Sequence, residues 1–226
     1  MTPTQTNTPT QTNTPTPTKT NTPTPTVTPT NLPPFVSVWN ITSDVELPYN
    51  PSGTYNGFIN WGDGNISANT YGNRSHTYAS PGNYTITITG QINGWEFLNY
   101  ATAYRTSISE VLSWGQVKGY NGSNNGMFYN CTNLKLSAVT DTINLNGITD
   151  LSYMFWNCSS LTNVNNINNW NVSQITNMSA MFRGCTQFND NLNNWNTSNV
   201  TNMGSMFAIT NQFNSDISTW NTPKVS

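Results

Sequence analysis

The side chains from which acid–base or metal chemistry is most readily built are few here: three cysteines, one histidine and nine carboxylates in 226 residues. Cys131, Cys158 and Cys185 each follow a methionine by four residues, at Met127, Met154 and Met181, and the next such place holds Thr210. Equal spacing in a repeat puts equivalent side chains in a column, about 4.8 Å apart across paired strands. A disulfide wants Cβ atoms nearer ~3.8 Å. The expectation is a buried thiol ladder, with one strained bridge as the alternative. Zinc is disfavoured, because Cys-x2-Cys pairs and partner histidines are absent. His76 has no second histidine to work with, and a structural role with one ring nitrogen on backbone is expected. The carboxylates run from Asp44 to Asp216 without a recurring close pair of the kind glycosidase chemistry requires. Asp63 lies in Gly62-Asp63-Gly64, where a tight turn explains it and a calcium ligand is the alternative. The chemistry therefore points to no catalytic centre, no metal and no cofactor.

Charge excludes further classes. Only 7% of residues are charged and the formal net charge is −2, so the basic footprint of a nucleic-acid binder is missing. No apolar run approaches the ~18 residues of a membrane span. Met1 is followed by polar residues rather than by a secretory signal; either the chain begins after such a segment or export takes another route. Asn and Thr replace charge as the solubilising residues, and eight Trp with ten Tyr suit β architecture.

Three segments then have to position these residues. In the first segment, residues 1–34, every even position from 2 to 30 is threonine: Thr2, Thr4, Thr6, Thr8, Thr10, Thr12, Thr14, Thr16, Thr18, Thr20, Thr22, Thr24, Thr26, Thr28 and Thr30. Pro, Asn and Gln fill most odd positions. So little apolar surface cannot build a core. The plain reading is an extended stalk, reaching about 90 Å at ~3.1 Å per residue and suited to O-glycosylation. The alternative follows from the period of two. In a strand every proline would fall on one edge, leaving an unbroken row of Thr donors and acceptors on the other, fit for pairing with another sheet.

Residues 35–113 read as a compact β-sandwich. Phe35-Val36-Ser37-Val38-Trp39 and Tyr84-Thr85-Ile86-Thr87-Ile88-Thr89 alternate as strands do, and Pro81-Gly82-Asn83 is a turn. Trp61-Gly62-Asp63-Gly64, His76-Thr77-Tyr78 and Pro81-Gly82-Asn83-Tyr84-Thr85-Ile86-Thr87-Ile88 resemble polycystic-kidney-disease-type (PKD-like) domains. The resemblance implies an immunoglobulin-like β-sandwich acting as spacer or binding module.

Residues 114–226 repeat. Met-Phe recurs at Met127-Phe128, Met154-Phe155, Met181-Phe182 and Met206-Phe207, at intervals of 27, 27 and 25 residues. A large apolar residue follows each Met by seven: Leu134, Leu161, Phe188 and Phe213. Trp170, Trp195 and Trp220 form another column, with Ile143 in the matching place of the first unit, which lacks the Trp-Asn turn. Such units bury their inner faces only by stacking. Met-Phe-x-x-Cys and Trp195-Asn196-Thr197-Ser198-Asn199-Val200-Thr201-Asn202-Met203 resemble the BspA-type leucine-rich repeats of bacterial surface proteins, which implies a β-solenoid. No capping unit follows Trp220, so a continuation of the chain, a neighbouring copy or its Thr/Pro tail is expected to cover that end.

Eleven Asn-x-Ser/Thr sequons follow residue 34, Asn40, Asn83 and Asn199 among them, a number that an Asn/Thr-rich chain produces by chance. Tyr49, Tyr55, Tyr71 and Trp95 either pack in the sandwich or stack on sugars. The expected fold is mainly β: sandwich, then leucine-rich-repeat-type solenoid, with an extended N-terminal segment. The expected function is a non-enzymatic extracellular or cell-surface protein for adhesion or display, meeting a surface protein or glycan. A subunit of a self-assembling fibre, a homo-polymer in which each tail docks on the next copy, is the alternative. A polysaccharide-binding accessory module is the second.

Overall fold

The structure is a computed structural model that describes residues 32–226, which form one compact unit. The threonines from Thr2 to Thr30, and with them the stalk and strand-donation readings, lie outside the described residues. The described part is mainly β and opens with eight strands: β1 (Phe35–Ile41), β2 (Asp44–Glu46), β3 (Tyr49–Tyr55), β4 (Phe58–Asn60), β5 (Ile66–Ala68), β6 (Ser75–Thr77), β7 (Gly82–Ile88) and β8 (Ile92–Trp95). A short helix α1 (Thr102–Ser107) leads into β9 (Ile108–Ser113) and β10 (Val117–Lys118). One antiparallel sheet runs β5-β4-β7-β1-β9; a second runs β10-β8-β3; β2 pairs with β6. Between the named strands of the described residues, only the short β10–β8 pairing is parallel.

Alternation builds the core. In β1 the inward positions Phe35, Ser37, Trp39 and Ile41 are all buried, and seven residues pair with β7. Ser37 is tolerated there because its hydroxyl accepts the Trp39 indole N–H at 2.8 Å, so no polar atom is stranded. Trp95 is the hub, 4.7 Å from Phe35 and 6.2 Å from Trp39, both edge to face. At the β4–β5 turn Gly62 has φ +84°, and a Cβ there would meet the Thr85 carbonyl oxygen at 2.5 Å, so both conformation and space demand glycine.

The repeats join this sheet directly. Glu110 of β9 is the parallel bridge partner of Lys135, secured by Lys135 N–H to Ser109 O (2.9 Å) and Val111 N–H to Lys135 O (3.2 Å). Asp141 fastens the joint from the other side: it accepts the Trp114 and Gly115 amides at 2.7 and 3.0 Å and the Ser113 hydroxyl at 3.0 Å. Trp114 then packs 5.9 Å from Phe128 and 5.8 Å from Trp170. One hydrophobic core thus passes through residue 113 without a break.

Successive units stack with their columns aligned. Phe128, Phe155, Phe182 and Phe207 follow one another at 5.9, 5.6 and 5.8 Å between ring centroids. Trp170, Trp195 and Trp220 do so at 6.3 and 6.1 Å. Each Phe amide donates to the next unit's Met carbonyl: Phe128 to Met154 at 2.8 Å, Phe155 to Met181 and Phe182 to Met206 at 3.0 Å. Along the stack the extended pairing shrinks to single parallel bridges, such as Ser123 to Asp150, Asp150 to Asn177 and Asn177 to Asn202. Among the described residues no strand forms after β10, which differs from the β-rungs expected.

Backbone conformation accounts for the difference. The residue before each Met (Gly126, Tyr153, Ala180, Ser205) and the residue three after it (Asn130, Asn157, Gly184, Ile209) all have φ between +53° and +76°. A left-handed residue reverses the pleat, so two per unit break any strand into turns. Asx-turns hold the rest: Asn171 and Asn196 each accept the amide and hydroxyl of the serine two residues on.

Candidate functional site

His76 and Asp63, 13 residues apart in sequence, meet where β6 passes the β4–β5 turn. His76 Nε2 lies 2.8 Å from Asp63 Oδ2, and the ring stacks on Trp61 with centroids 4.9 Å apart. Its partner is a side-chain carboxylate, not the backbone atom expected. Asp63 also accepts the Asn65 amide and side chain. The His76 hydrogen bond foremost, and then those from Asn65, pull its pKa down to about 2. Asp63 is therefore spoken for as the pin of a turn. Among the described residues no group of three His, Cys, Asp or Glu is placed to hold a metal.

The cysteines are free thiols, fully enclosed. Cys158 Sγ donates to Phe128 O at 3.0 Å and Cys185 Sγ to Phe155 O at 2.9 Å. Thr210 repeats the contact through its hydroxyl, to Phe182 O at 2.8 Å, which explains why threonine can stand in this column. Burial pushes the Cys185 thiol up to about 12 and those of Cys131 and Cys158 well above their ordinary value. Thiols so placed are neutral and poor nucleophiles.

Of the aromatics considered for sugar stacking, Tyr49 and Trp95 are in the core. Tyr49 stacks on Tyr55 at 4.1 Å, and its hydroxyl donates to Asn69. Burial pushes its pKa well up. Tyr55 and Tyr71 are half-buried and pack against that core. Tyr71 has its ring covered by the Arg74 guanidinium at 4.0 Å.

The outer surface presents two arrangements. The first is a column one residue after each Phe: Tyr129, Trp156, Arg183 and Ala208. Tyr129 stacks on Trp156 at 4.3 Å, and Arg105 lies over the Tyr129 ring at 5.4 Å. Tyr153, 41% exposed, projects from the left-handed position nearby. The second is a groove of about 940 Å3 where β1–β2, α1, β9 and the first two units meet, its lining including Asp44, Tyr104, Glu110, Asn133 and Lys135. A smaller cleft of about 500 Å3 adjoins it, sharing Ala101 and Tyr104. The sequence reading missed all of these. Tyr129 and Trp156 carry the repeat period and could have been found by extending the columns outward. The groove has no such signal, because four separate segments build it.

Residues 123–226 match the model of a family described as Mycoplasma protein of unknown function, DUF285. No curated protein matches the chain. No solved structure matches it.

Proposed function

We propose that the protein is a non-enzymatic extracellular surface protein for adhesion or display, whose repeat array is a leucine-rich-repeat-type solenoid of the BspA kind mounted on a PKD-like β-sandwich. The observation that carries the reading is the contrast between inner and outer columns of the array. Inside, the Met and Phe columns are uniform and the others change only among buried, uncharged types: Cys or Thr, Leu or Phe, Ile or Trp. Outside, the column of Tyr129, Trp156, Arg183 and Ala208 changes size, polarity and charge from one unit to the next while keeping its alignment. A uniform frame fixes position, and varied side chains upon it read a partner, in the way stacked-repeat proteins use their extended faces. The absence of any long apolar helix among the described residues leaves the mode of attachment open to the Thr/Pro segment.

The test is adhesion. Beads coated with the full chain should adhere to at least one of a panel of immobilised matrix proteins and glycans, and Tyr129→Ala with Trp156→Ala should lower adhesion at least tenfold without lowering the melting temperature by more than a few degrees. Adhesion no greater than that of albumin-coated beads on every surface would sink the reading. The strict Thr alternation of residues 2–30 supports a second reading, a fibre subunit whose tail pairs with a neighbouring copy. Light scattering would then show concentration-dependent growth for the full chain and none for a chain starting at Leu32.

A further inference from the structure

We infer that the groove between the sandwich and the first two units binds a neutral oligosaccharide. This assignment rests on the reading of the protein as a surface protein and supplies a ligand class for it. At about 940 Å3 the groove falls at the upper end of the roughly 300–1,000 Å3 of ligand sites. Its walls are rich in short polar side chains, and the apolar side chains among them are Ala101, Ala103 and the ring of Tyr104.

The polar groups are held ready rather than left loose. Tyr104 donates its hydroxyl to Asp44 Oδ2 at 2.9 Å, and Ser43 donates to Asp44 Oδ1 at 2.6 Å, so the tyrosine ring has a fixed attitude along the groove. Asn133 is anchored through its amide nitrogen to Thr106 O at 2.8 Å, which leaves its oxygen as an acceptor. Ser107 and Ser109 spend their protons on Tyr104 O and Val38 O and keep their lone pairs. Such an array offers many acceptors at fixed places, with little ordering left to be done on binding.

The decisive pair is Glu110 and Lys135. They are direct bridge partners across the seam, and oppositely charged partners so placed ordinarily close into a cross-strand pair. Here both side chains line the groove, and among the described residues neither is in an ion pair or a side-chain hydrogen bond. A carboxylate acceptor beside an ammonium donor, set apart from each other, matches the adjacent hydroxyls of a sugar ring, one donating and one accepting. Asp44 and Glu110 against Lys135 leave the groove near neutrality, which gives a polyanion no purchase. A peptide is disfavoured as well. β1 lies between β7 and β9, and β9 is closed by the first unit; β2, paired only with β6, has a free edge but is three residues long, too short to hold an added strand. The adjoining cleft, with Tyr71, Tyr100, Glu96 and Asn99 beyond the shared Tyr104, continues the surface and favours a chain of sugars over a single one.

The experiment is affinity electrophoresis of the full chain through gels containing galactomannan, mixed-linkage β-glucan or hydroxyethyl cellulose, with alginate and gelatin gels alongside. At least one neutral polysaccharide should reduce the mobility of the wild type by twofold or more. Glu110→Gln, Lys135→Met and Tyr104→Ala should each restore free mobility. Glu110→Gln is isosteric and exposed to the groove, so it reports on binding even where Tyr104→Ala disturbs α1; thermal melts identify such a case. Lys224→Ala, in the fourth unit and outside the lining of the groove, should leave retardation unchanged. The inference is overturned by free mobility of the wild type in all neutral gels, by retardation confined to alginate or gelatin, or by groove variants that remain retarded. Bead adhesion that depends on Tyr129 and Trp156 would in that event still uphold the surface-protein reading.

Discussion

At the residue scale, one column shows how a hydrogen bond depends on the unit before it. Trp195 and Trp220 donate their indole N–H to Ile167 O and Leu192 O, at 2.8 and 3.0 Å. Trp170, as buried as Trp195, has no partner for its Nε1: the accepting carbonyls lie three residues before the Trp of the preceding unit, and the first unit has Ile143 in that Trp's place. Removing the donor should therefore matter at one position and not at the other. Trp195→Phe is expected to cost about 1 kcal/mol more than Trp170→Phe in denaturant unfolding; equal losses would contradict the account. Asp63 offers a pH dependence of defined sign. Its folded pKa is about 2 and its unfolded value about 4, so its contribution is fully present above about pH 4 and is lost as pH falls towards 2. Wild type should lose melting temperature over that window relative to Asp63→Asn, and parallel curves would show that the His76 contact is inert. Sequence reasoning reached Asp63 as a turn residue and His76 as structural. It did not join them, since a contact across 13 residues is made by the return of β6 and not by any local pattern.

At the scale of elements, the repeat was legible because burial repeats with it: Met127, Met154 and Met181 and the phenylalanines after them all lie in the core. What the period could not reveal is the conformation of the backbone between the columns. Asn130 and Asn157 tolerate the left-handed region and Gly184 prefers it, but Ile209 occupies the same place with φ +59° and is 60% exposed. A β-branched residue gains nothing there to offset a cost of roughly 1–2 kcal/mol. Ile209→Asn should raise the melting temperature or delay proteolysis of the fourth unit, and a drop would mean that the exposed isoleucine is engaged by something. The same eight left-handed residues explain why the β-rungs expected of the repeats shrink to single bridges after residue 118. Turn chemistry written in Asn, Ser and Gly competes with the ladder and wins twice per unit.

At the scale of the whole molecule, the core crosses residue 114, where the repeats are expected to begin as a separate segment. Trp114 opens the repeat segment in sequence and packs against Phe128 and Trp170 in space. Phe128 in turn lies 6.4 Å from both Trp95 and Phe97, which precede β9 in the chain. Residues 32–113 alone would expose that face of Trp95 and Phe97, leave β9 with an open edge and lose Asp141. We expect that fragment to be unfolded or aggregated by circular dichroism and size exclusion, and residues 32–226 to unfold in one transition with fluorescence and far-ultraviolet signals coincident. A stably folded 32–113 fragment would show the seam to be mere adjacency. The groove at this seam was hidden from the sequence for the same reason, since no segment contains more than part of it.

The place of β1 has a mechanical consequence. It is the first strand after the Thr/Pro stretch, and it lies inside the sheet with seven pairs to β7 on one side and β9 on the other. A pull delivered at Leu32 and opposed at the repeats runs along the strand axis, so these bonds are loaded together in shear rather than opened one after another. The repeats, joined by single bridges and short contacts, would peel apart unit by unit under tension along the stack. Drawn between its two ends, the molecule should yield first in the outer units, in small steps, and the sheets should give way only when the first unit is pulled from β9.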